Sequence, residues 1–459
     1  MLSSPIALRN RVRRLPIVRK IKGLDLAGKV FLVGGALREL ALARLPNDYD
    51  FAIERASDLR AFEKVFGAHA FLLGKRPAQT HRIVAGDVTL DITMLQGGLE
   101  ADLLRRDFTM NAMAYDIGRD VIIDPLHGRE DLKDKVIRCP RETSLKEDPL
   151  RMLKAVRHFT ALRGFAIAPE VAASIAVQRK LIRETAVERI KYELDLILLS
   201  RNVHRGIDAL AGTGLLFEIF PELLPLREMD REKELEPAAL GHTLGGFKYV
   251  GRVWRFQPLD ERATKHVGYA LLFHDLGKAQ TYSCDEKKGR VHFFHHERFS
   301  GEIAATIMER LRFSVSETRA VSALIENHMR LFLISNKEAS EKATRRLVYK
   351  MEELTPSLVC LTLLDLYGSS KGKENASTRQ VRKRCREVLA VYEEWKRAPL
   401  LRIVTGRDLM ALGFSEGPTL GRVLQEIREK QIAGEITNKE EALEYARKSR
   451  KPAFSVVSS

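Results

Sequence analysis

Short strand and helix patterns alternate between residues 29 and 124, and this alternation constrains the fold more than any other feature of the sequence. Val30–Val33 is an apolar run that leads through Gly34-Gly35 into a helical stretch at Ala36–Leu42. The further elements predicted are strands at Tyr49–Ile53, Phe71–Leu73, Ile83–Val84 and Val88–Thr93, and a helix at Leu59–Val65. This region is therefore predicted to be a small α/β unit.

From about Glu147 onward the apolar residues recur with the 3.6-residue period of helices. The predicted helices are Pro149–Leu162, Glu170–Gln178, Ala186–Leu199 and Val203–Ala211. Residues 240–396 continue the helical pattern and are rich in histidine, and Thr405–Lys448 reads as two or three short helices. Gly368–Arg379 is charged and contains glycine and serine, so we expect an exposed connection there. The predicted fold class is multidomain, with an N-terminal α/β domain followed by mostly α-helical ones.

Composition points to a large protein with an anionic partner. The chain has 459 residues, too many for one compact core, and a formal net charge of +16. Such an excess favours nucleic acid as the partner, with an acidic membrane surface as the second candidate. The four cysteines form no CxxC pair, which fits a reducing cytosol. No stretch is long and apolar enough to span a bilayer. Of the two candidates, nucleic acid is the expected partner, and no membrane partner is expected.

The first 24 residues carry seven Arg and Lys residues and no acidic residue. An organelle transit peptide is one interpretation of this composition. We favour a basic tail that contacts phosphates or nothing.

Asp48 and Asp50 are two residues apart in a predicted strand, so their carboxylates point to the same face. Two like charges this close are unfavourable unless a cation lies between them. A hard divalent ion such as Mg²⁺ prefers carboxylate oxygens and completes its shell with water and substrate phosphate. The pair therefore indicates phosphoryl or nucleotidyl chemistry.

Three other segments carry groups suited to the same chemistry. The Gly34-Gly35 turn lets a phosphate approach backbone N–H groups, and Arg38 adds charge, although such turns are common. Asp91 offers a further strand carboxylate; alone it would be an ordinary solvent-facing residue. Arg105–Ala114, with the sequence RRDFTMNAMA, places two arginines and an amide beside an apolar helix, or is simply a helix start with Asp107 as its N-terminal charge.

In this order the motifs resemble the class II tRNA nucleotidyltransferase and poly(A) polymerase family, whose pattern is GGxxRD, DxD, a third strand Asp and RRDFTxNA. The resemblance extends over residues 30–194. It implies that Asp48 and Asp50 hold metal and that Asp91 serves the primer 3′-hydroxyl. It also implies a triphosphate site and a sugar site, formed respectively by Gly34, Gly35 and Arg38, and by Arg106, Asp107 and Asn111.

The same resemblance assigns Asp148 and Arg151 to reading the base edge, with protein in place of a nucleic-acid template. Residues i and i+3 are neighbours on a helix, and an Asp/Arg pair offers both acceptors and donors. Asp148 before Pro149 is also a good N-cap, and the two roles are compatible. We expect Arg157 and the Glu188, Arg189 and Glu193 set to brace the helices rather than contact substrate.

Two departures from the family pattern affect the expected specificity. Glu39 replaces the usual Asp of GGxxRD, a change that we expect to be tolerated. Only Met94–Leu104 separates Thr93 from Arg105, whereas members that add the whole CCA end, or its terminal A, usually have a much longer loop. The chain therefore resembles most closely the members that add two C residues; full CCA addition, A addition and poly(A) synthesis are the alternatives.

The second half contains histidines and aspartates in the order H…HD…H…H…D on predicted helices: His242, His274, Asp275, His296, His328 and Asp365. A lone buried histidine is usually a core residue, but six matching positions favour a metal. The region resembles the HD phosphohydrolase domain found in some bacterial tRNA nucleotidyltransferases. This implies that Mg²⁺, Mn²⁺ or Ni²⁺ is bound by His242, His274, Asp275 and Asp365, and that His296 and His328 bind a second ion or the scissile phosphate.

These observations predict a bacterial, cytoplasmic, Mg²⁺-dependent enzyme that uses CTP, and possibly ATP, on the tRNA 3′ end and grips the acceptor arm. The expected divisions are a basic extension (1–27), nucleotidyltransferase head (28–125), neck (126–200), helical body (201–238), HD domain (239–396) and tRNA-binding tail (397–459). The HD domain is expected to hydrolyse phosphomonoesters or 2′,3′-cyclic phosphates, unless its site is a relic in an RNA-binding or dimerising domain. The rival from a different class is an HD phosphohydrolase whose head only binds RNA.

Overall fold

The computed structural model describes residues 4–73, 79–233, 238–285, 287, 290–335, 341–397 and 402–449. The chain divides into two compact units, residues 1–221 and 222–459. The first contains the α/β region and the helices that follow it, and the second is mainly helical. The predicted fold class is therefore confirmed.

The basic N-terminal segment forms two helices, α1 (Pro5–Arg14) and α2 (Pro16–Lys22), rather than a tail. The Ser4 hydroxyl caps α1 by accepting a 3.2 Å hydrogen bond from the Ala7 N–H, and each helix begins with a proline. The apolar side chains between the cations are buried: Leu8, Val12, Leu15, Ile17, Val18 and Ile21. The tail interpretation is wrong because these residues give the segment a core-facing side that its charge conceals.

Seven strands form the sheet of the first unit: β1 (Val30–Val33), β2 (Asp48–Ile53), β3 (Phe71–Leu73), β4 (Thr80–Ala85), β5 (Val88–Met94), β6 (Ala114–Asp116) and β7 (Val121–Ile123). Their order is β3-β4-β5-β2-β1-β6-β7. The pairs are antiparallel except β2 with β5, which run parallel and place Asp50 opposite Asp91. This single parallel pair brings together carboxylates that are far apart in the sequence.

Helices cover both faces of this sheet: α3 (Gly35–Ala41), α4 (Leu59–Phe66) and α5 (Gly98–Leu104). On one face Leu103 of α5 packs with Phe31 and Val33. On the other, Phe62 of α4 meets Phe51 edge-on, with ring centroids 5.6 Å apart. The predicted strands and helices are confirmed, with β4 four residues longer than expected.

Residues 128–219 form a helical region with one small two-stranded sheet, β8 (Val136–Ile137) and β9 (Ala166–Ile167). The helices are α6 (Gly128–Asp134), α7 (Ser144–Glu147), α8 (Leu150–Ala161), α9 (Pro169–Gln178), α10 (Val187–Leu198), α11 (Val203–Gly212) and α12 (Leu215–Ile219). The four helices predicted here are confirmed within one residue at each end; α8 begins at Leu150, directly after the Asp148-Pro149 pair. That pair lies at the boundary between α7 and α8.

The second unit begins with helices and a hairpin, β10 (Tyr282–Asp285) and β11 (Arg290–Phe293). Its helices up to residue 397 are α13 (Leu224–Lys233), α14 (Ala239–Gly246), α15 (Val250–Phe256), α16 (Glu261–Phe273), α17 (Lys278–Thr281), α18 (His296–Arg310), α19 (Val315–Asn327), α20 (Arg330–Leu333), α21 (Glu341–Met351), α22 (Thr355–Ser369) and α23 (Ala376–Arg397). The described helices include none that is long and apolar enough to cross a membrane.

The connection predicted at Gly368–Arg379 is shorter than expected, because α22 reaches Ser369 and α23 begins at Ala376. Asn375 fixes the start of α23: its side-chain oxygen accepts a 2.9 Å hydrogen bond from the Thr378 N–H. Residues 376–379 of the predicted connection therefore form the first turn of α23.

The C-terminal segment forms three helices, α24 (Gly406–Ala411), α25 (Pro418–Ile432) and α26 (Lys439–Ser449). Their apolar residues form a small core of their own that includes Leu409, Val423 and Ile427. The prediction of two or three short helices in this region is confirmed.

Candidate active site and metal centre

The head carboxylates lie on two adjacent strands of the first unit. Asp48 and Asp50 alternate with Tyr49 on β2, and Asp91 is the register partner of Asp50 on β5. All three therefore lie on one face of the sheet. Asp48 is exposed and Asp50 is half-buried. Burial raises the pKa of Asp50, the Arg106 guanidinium lowers it, and the carboxylates of Asp91 and Asp48 raise it further.

Arg82 is a member of this site that the sequence did not reveal. From β4 it donates two hydrogen bonds of 2.7 Å, one from Nε and one from Nη2, to the two carboxylate oxygens of Asp91. Its only signal in the sequence is its position in a strand beside β5, where it is the register partner of Asp91. One arginine among 77 Arg and Lys residues could not be singled out before the register was known.

The glycine turn between β1 and α3 lies against these carboxylates. Gly34 has a φ of +76°, a conformation that glycine adopts without strain. A Cβ atom at Gly34 would lie 2.7 Å from Asp50 Oδ2 and 2.9 Å from Arg106 Nη1. The backbone of the turn, the Asp50 carboxylate and the Arg106 guanidinium therefore meet at one point.

Arg38 and Asn111 connect this turn with the RRDFTMNAMA segment. Arg38 Nη1 donates a 2.6 Å hydrogen bond to Asn111 Oδ1, while its Nε and Nη2 donate to Glu39 Oε1 at 3.0 and 2.9 Å. Glu39, the departure from the family pattern, thus holds Arg38 in place. Asn111 Nδ2 donates a 2.8 Å hydrogen bond to Asp107 Oδ1.

The RRDFTMNAMA segment is neither of the two structures predicted for it, which were a segment beside an apolar helix and the start of a helix. Thr109–Asn111 is a single 3₁₀ turn, and Ala114 already belongs to β6. Burial would raise the pKa of Asp107, but the Lys154 ammonium 3.7 Å away and the hydrogen bonds from Asn111 and the Phe108 N–H keep that pKa below its usual value. Lys154 on α8 is a second partner that the sequence did not single out.

Asp148 and Arg151, the proposed base-reading pair, are held by different neighbours. Asp148 Oδ2 accepts a 3.1 Å hydrogen bond from Arg189 Nη2, and Asp148 Oδ1 accepts a 3.3 Å one from the Leu150 N–H. Arg151 donates to the carbonyl oxygens of Ser144, at 3.1 Å, and of Arg105. Arg189 therefore holds Asp148, one of the two residues predicted to recognise the base.

Arg157 and Glu193 form the expected brace between α8 and α10, with Arg157 Nε 2.7 Å from Glu193 Oε2. Burial raises the pKa of Glu193, and the Arg157 guanidinium lowers it.

The second unit gathers the six predicted histidines and aspartates into one buried cluster. His242 Nε2 lies 2.9 Å from Asp275 Oδ2 and 3.4 Å from Asp365 Oδ1. His274 Nε2 lies 3.3 Å from Asp275 Oδ2 and 3.6 Å from Asp365 Oδ1. On the other side of Asp275, His296 Nε2 is 3.4 Å from Asp275 Oδ1 and 3.3 Å from His328 Nε2.

All four imidazoles have the same orientation. Each Nδ1–H donates to a carbonyl oxygen of its own helix or loop three or four residues earlier: Ala238 (3.2 Å), Leu271 (2.8 Å), Phe293 (2.9 Å) and Ile325 (2.7 Å). This hydrogen bond turns each Nε2 atom towards the cluster, where a neutral imidazole can offer its lone pair to a metal, as in metal-binding histidines.

Two buried atoms in this cluster fit a bound cation. His274 Nε2 and Asp275 Oδ1 make no hydrogen bond of good geometry with any residue in the described ranges, although charged neighbours lie 3.3 and 3.4 Å away. The facing lone pairs of His296 and His328 repel each other unless a proton or a cation lies between them. Lys278 Nζ, 2.7 Å from Asp275 Oδ2, supplies one positive charge.

The histidine pKa values reflect this crowding. Burial would lower the pKa of His242, but its hydrogen bonds to Asp275 and Asp365 raise it to about 10. Burial and the neighbouring His274 lower the pKa of His328 to about 3, so this imidazole is neutral. Nitrogen and carboxylate donors together suit a divalent transition metal or a hard divalent ion.

Comparison with known proteins places this geometry in a family. Family models match residues 93–138 ("Poly A polymerase head domain"), residues 164–226 ("Probable RNA and SrmB- binding site of polymerase A") and residues 286–446 ("tRNA nucleotidyltransferase domain 2"). The CC-adding tRNA nucleotidyltransferase of Thermus thermophilus is 34% identical over 424 residues, covering 90% of this chain and 92% of that protein. The chain belongs to the tRNA nucleotidyltransferase family.

Relatives within this family differ in what they add. The A-adding tRNA nucleotidyltransferase of Deinococcus radiodurans is also 34% identical, over 428 residues that cover 90% of this chain and 93% of that protein. Among solved structures, a CCA-adding enzyme complexed with CTP has a TM-score of 0.65 at 20% identity, covering 98% of this chain and 99% of that one. The Thermotoga maritima CCA-adding enzyme complexed with tRNA has a TM-score of 0.62 at 19% identity, covering 98% and 99%. At these identities the structures show the shared fold.

The protein is thus a tRNA nucleotidyltransferase, and nucleotidyltransferases of this family depend on a metal ion. The head offers hard carboxylate oxygens from Asp48 and Asp50, and the pKa of Asp50 is raised by burial and by neighbouring carboxylates. A divalent cation relieves that repulsion, so the donor set fits Mg²⁺.

Proposed function

We propose that this tRNA nucleotidyltransferase adds C residues to the tRNA 3′ end from CTP and releases pyrophosphate. The observation that carries the proposal is the parallel pairing of β2 with β5, which sets Asp91 beside Asp50, while Asp50 itself lies against the Gly34 turn. A nucleotidyl-transfer site needs carboxylates that bind the metal ion and the attacking hydroxyl. It also needs a nearby backbone turn that a phosphate can approach, and this arrangement supplies the carboxylates and the turn.

In the proposed mechanism each group has a separate task. Asp48 and Asp50 would hold Mg²⁺, which when bound neutralises triphosphate charge. Asp91 orients the primer 3′-hydroxyl and accepts its proton as the oxygen attacks the α-phosphorus in line and the bond to pyrophosphate breaks. The triphosphate lies along the Gly34-Gly35 backbone and Arg38, while the sugar lies near Arg106, Asp107 and Asn111.

Asp148 and Arg151 are proposed to read the base. Cytosine presents one amino donor and two acceptors, which match a carboxylate and a guanidinium. Both side chains already make fixed hydrogen bonds, to Arg189 and to two backbone carbonyls. Such preorganisation favours one base geometry over another.

CC addition, rather than complete CCA addition, is proposed from the interval between Met94 and Arg105. After β5 ends at Met94, three residues lead to α5, which fills Gly98–Leu104. The relatives do not discriminate, because CC-adding and A-adding enzymes match at the same identity. The proposal therefore depends on the length of this interval.

The decisive experiment supplies tRNAs ending before C74, before C75 and before A76 with CTP or ATP. We expect CTP incorporation into the first two only. Incorporation of ATP into the tRNA that ends in CC would exclude CC specificity and favour full CCA addition. If Asp48→Ala with Asp50→Ala leaves CTP incorporation intact, the mechanism is wrong and a phosphohydrolase with an RNA-binding head is favoured.

We further propose that the second unit is a metal-dependent phosphohydrolase. The convergence of four imidazole Nε2 atoms and two carboxylates, with two of these atoms lacking hydrogen bonds, supports this activity. His242, His274, Asp275 and Asp365 would hold Mg²⁺, Mn²⁺ or Ni²⁺, which when bound activates water or polarises phosphate. His296 and His328 would bind a second ion or the scissile phosphate of a phosphomonoester or a 2′,3′-cyclic phosphate.

His274→Ala tests this second activity independently of the first. Loss, in this variant, of ring opening of 2′,3′-cyclic nucleotides to nucleoside monophosphates, or of phosphate release from phosphomonoesters, with CTP incorporation retained, would establish two separate sites. Wild-type protein that hydrolyses neither substrate with any of the three metals would favour a relic.

The remaining domain assignments are proposed on the same basis: extension (1–27), head (28–125), neck (126–200), body (201–238), HD domain (239–396) and tail (397–459). The body and tail would bind the tRNA acceptor arm and elbow through backbone contacts. We place the activity in the bacterial cytoplasm, since the relatives are bacterial and the four cysteines are unpaired.

A further inference from the structure

A second concave surface of the first unit is lined by cations. It is a cavity of about 480 Å³ between α1, α2 and β6, bordered by Asn10, Arg13, Arg14, Val18, Arg19, Lys22 and Tyr115. Arg13, Arg14, Arg19 and Lys22 are all exposed at its rim. This cavity, called the N-terminal basic cavity below, exists only because residues 5–22 fold as two packed helices.

The charge of this cavity is only partly neutralised by the protein. Arg13 Nε lies 3.3 Å from Asp120 Oδ2, and the Tyr115 hydroxyl donates a 2.6 Å hydrogen bond to Asp120 Oδ1. Asp120 is thus engaged by two donors, and the first 24 residues contain no acidic residue. Four cations around one concavity repel each other, and an anionic ligand removes that repulsion.

The cavity lies on the face of the sheet opposite the catalytic carboxylates. Val33 is the register partner of both Asp50 and Ala114, so these three residues share one face. Leu32 is the partner of Tyr115, and neighbouring residues of a strand point to opposite faces. A ligand at Tyr115 therefore does not occupy the nucleotide site.

The lining distinguishes among anionic ligands. Val18 is its one aliphatic side chain, and the Tyr115 ring is fully buried, so no aromatic surface of the cavity is available for stacking a base. A concave site also cannot be filled by a flat membrane surface. Guanidinium and ammonium groups without a base-stacking partner suit the phosphodiester backbone of RNA.

We propose that the N-terminal basic cavity binds backbone phosphates of tRNA, independently of base sequence and away from the catalytic face. This proposal rests on the proposed function only in that the bound RNA is taken to be tRNA. Because Arg14 and Lys22 are exposed and lie outside the catalytic machinery, reversing their charge alters the cavity without burying a charge.

The test compares full-length Arg14→Glu/Lys22→Glu with Arg60→Glu/Lys64→Glu, which has the same change of net charge on exposed residues of α4 outside the cavity. Filter binding to tRNA ending before C74, without CTP, is measured between 50 and 200 mM salt, the range over which phosphate contacts dominate affinity. We expect the cavity variant to bind tRNA at least about tenfold more weakly. The slope of log affinity against log salt concentration should be less steep, by the amount that corresponds to the loss of about two phosphate contacts. The KM for CTP and the kcat at saturating tRNA should match those of the wild type.

Equal losses of affinity in the two variants, or an unchanged affinity in the cavity variant, would overturn the proposal. Displacement of the tRNA by polyglutamate as effectively as by poly(A) RNA would also overturn it, because the site would then recognise charge alone. Circular dichroism and the CTP KM establish that the variant is folded. Wild-type protein that binds tRNA but incorporates no C would contradict the proposed function and leave this test valid.

Discussion

Arg82 and Asp91 form a two-pronged ion pair across β4 and β5, with both hydrogen bonds at 2.7 Å. The guanidinium fork fixes the orientation of the carboxylate that we propose as the partner of the primer hydroxyl. The positive charge of Arg82 also interacts with Asp50, next to which the Arg106 guanidinium already lies. The site is thus preorganised by a residue outside every recognised motif.

Removing this fork is expected to affect the reaction step more than CTP binding. In Arg82→Gln we expect kcat for CTP incorporation to fall about tenfold, the size typical of a lost orienting contact, with little change in the KM for CTP. Arg82→Lys should recover only part of the rate, because an ammonium keeps the charge but not the fork. Arg60→Gln on α4 is the matched control, and a kcat for Arg82→Gln equal to that of the control would contradict the positioning role.

Gly34 is expected to be intolerant of any side chain. In Gly34→Ala the new Cβ would lie 2.7 Å from Asp50 Oδ2 at a φ of +76°, so the carboxylate or the turn must move. We expect CTP incorporation to fall by at least about 100-fold, since displacements of this size at reacting groups have such effects. Gly35→Ala is the control, because its Cβ would meet Arg38 Nη2 at an ordinary 3.5 Å. Equal activity in the two variants would refute the close approach.

Arg189 and Arg157 are expected to separate base selection from stability. Arg189→Gln removes the 3.1 Å contact that orients Asp148, so the preference for CTP over ATP should fall.

Arg157→Gln leaves the buried Glu193 carboxylate without its partner 2.7 Å away, and should lower the free energy of unfolding by about 3 kcal/mol. Competition assays with both nucleotides and urea unfolding measure the two effects. A loss of CTP preference confined to Arg157→Gln would reverse the assignment.

His158 is expected to make the first unit less stable at acidic pH. Burial, and then the Arg157 guanidinium 3.2 Å away, lower the pKa of this imidazole well below 6.5. Between the folded-state pKa and 6.5 the unfolded chain binds more protons, so stability is present above pH 6.5 and is lost as the pH falls below it. From pH 7 to pH 5 this loss amounts to about 2 kcal/mol for one such group.

Hydrogen exchange of the α8 amides, corrected for the intrinsic rate, measures this loss in the full chain. His158→Gln should remove the dependence, whereas the control His69→Gln, at a fully exposed imidazole, should retain it. The linkage is excluded by an unchanged pH dependence in His158→Gln.

Metal binding is expected to stabilise the second unit. A cation can bind His274 Nε2 and Asp275 Oδ1, two buried atoms that make no hydrogen bond of good geometry with the described residues. Saturating Mn²⁺ at 100 times its Kd adds about 2.7 kcal/mol, visible as a higher Tm that EDTA reverses. His274→Ala should abolish the shift, while Asp50→Ala in the head should keep it. A shift that survives in His274→Ala would place the metal elsewhere.

Local patterns explain which parts of the fold could be predicted. The alternation of residues 30–94 and the helical period after Glu147 depend only on the chain's own neighbours, and the observed elements follow them closely. The prediction of a basic tail at the N-terminus was wrong because charge dominated the composition there, although Leu8, Val12 and Ile17 had the spacing of a buried helix face. The connection predicted at Gly368–Arg379 was too long because a single cap, Asn375, decides where α23 begins.

The order of motifs by itself determined the family and singled out the aspartates and histidines that we propose to carry its chemistry, because residue types and spacings are properties of the chain. Tertiary structure decided which groups touch them. Only strand register sets Arg82 on Asp91. Only the packing of α8 against α10 brings Arg189 to Asp148. Only the packing of the helices in the second unit brings the histidine Nε2 atoms together with the two carboxylates. Contacts between distant segments depend on register and packing, which no local pattern records.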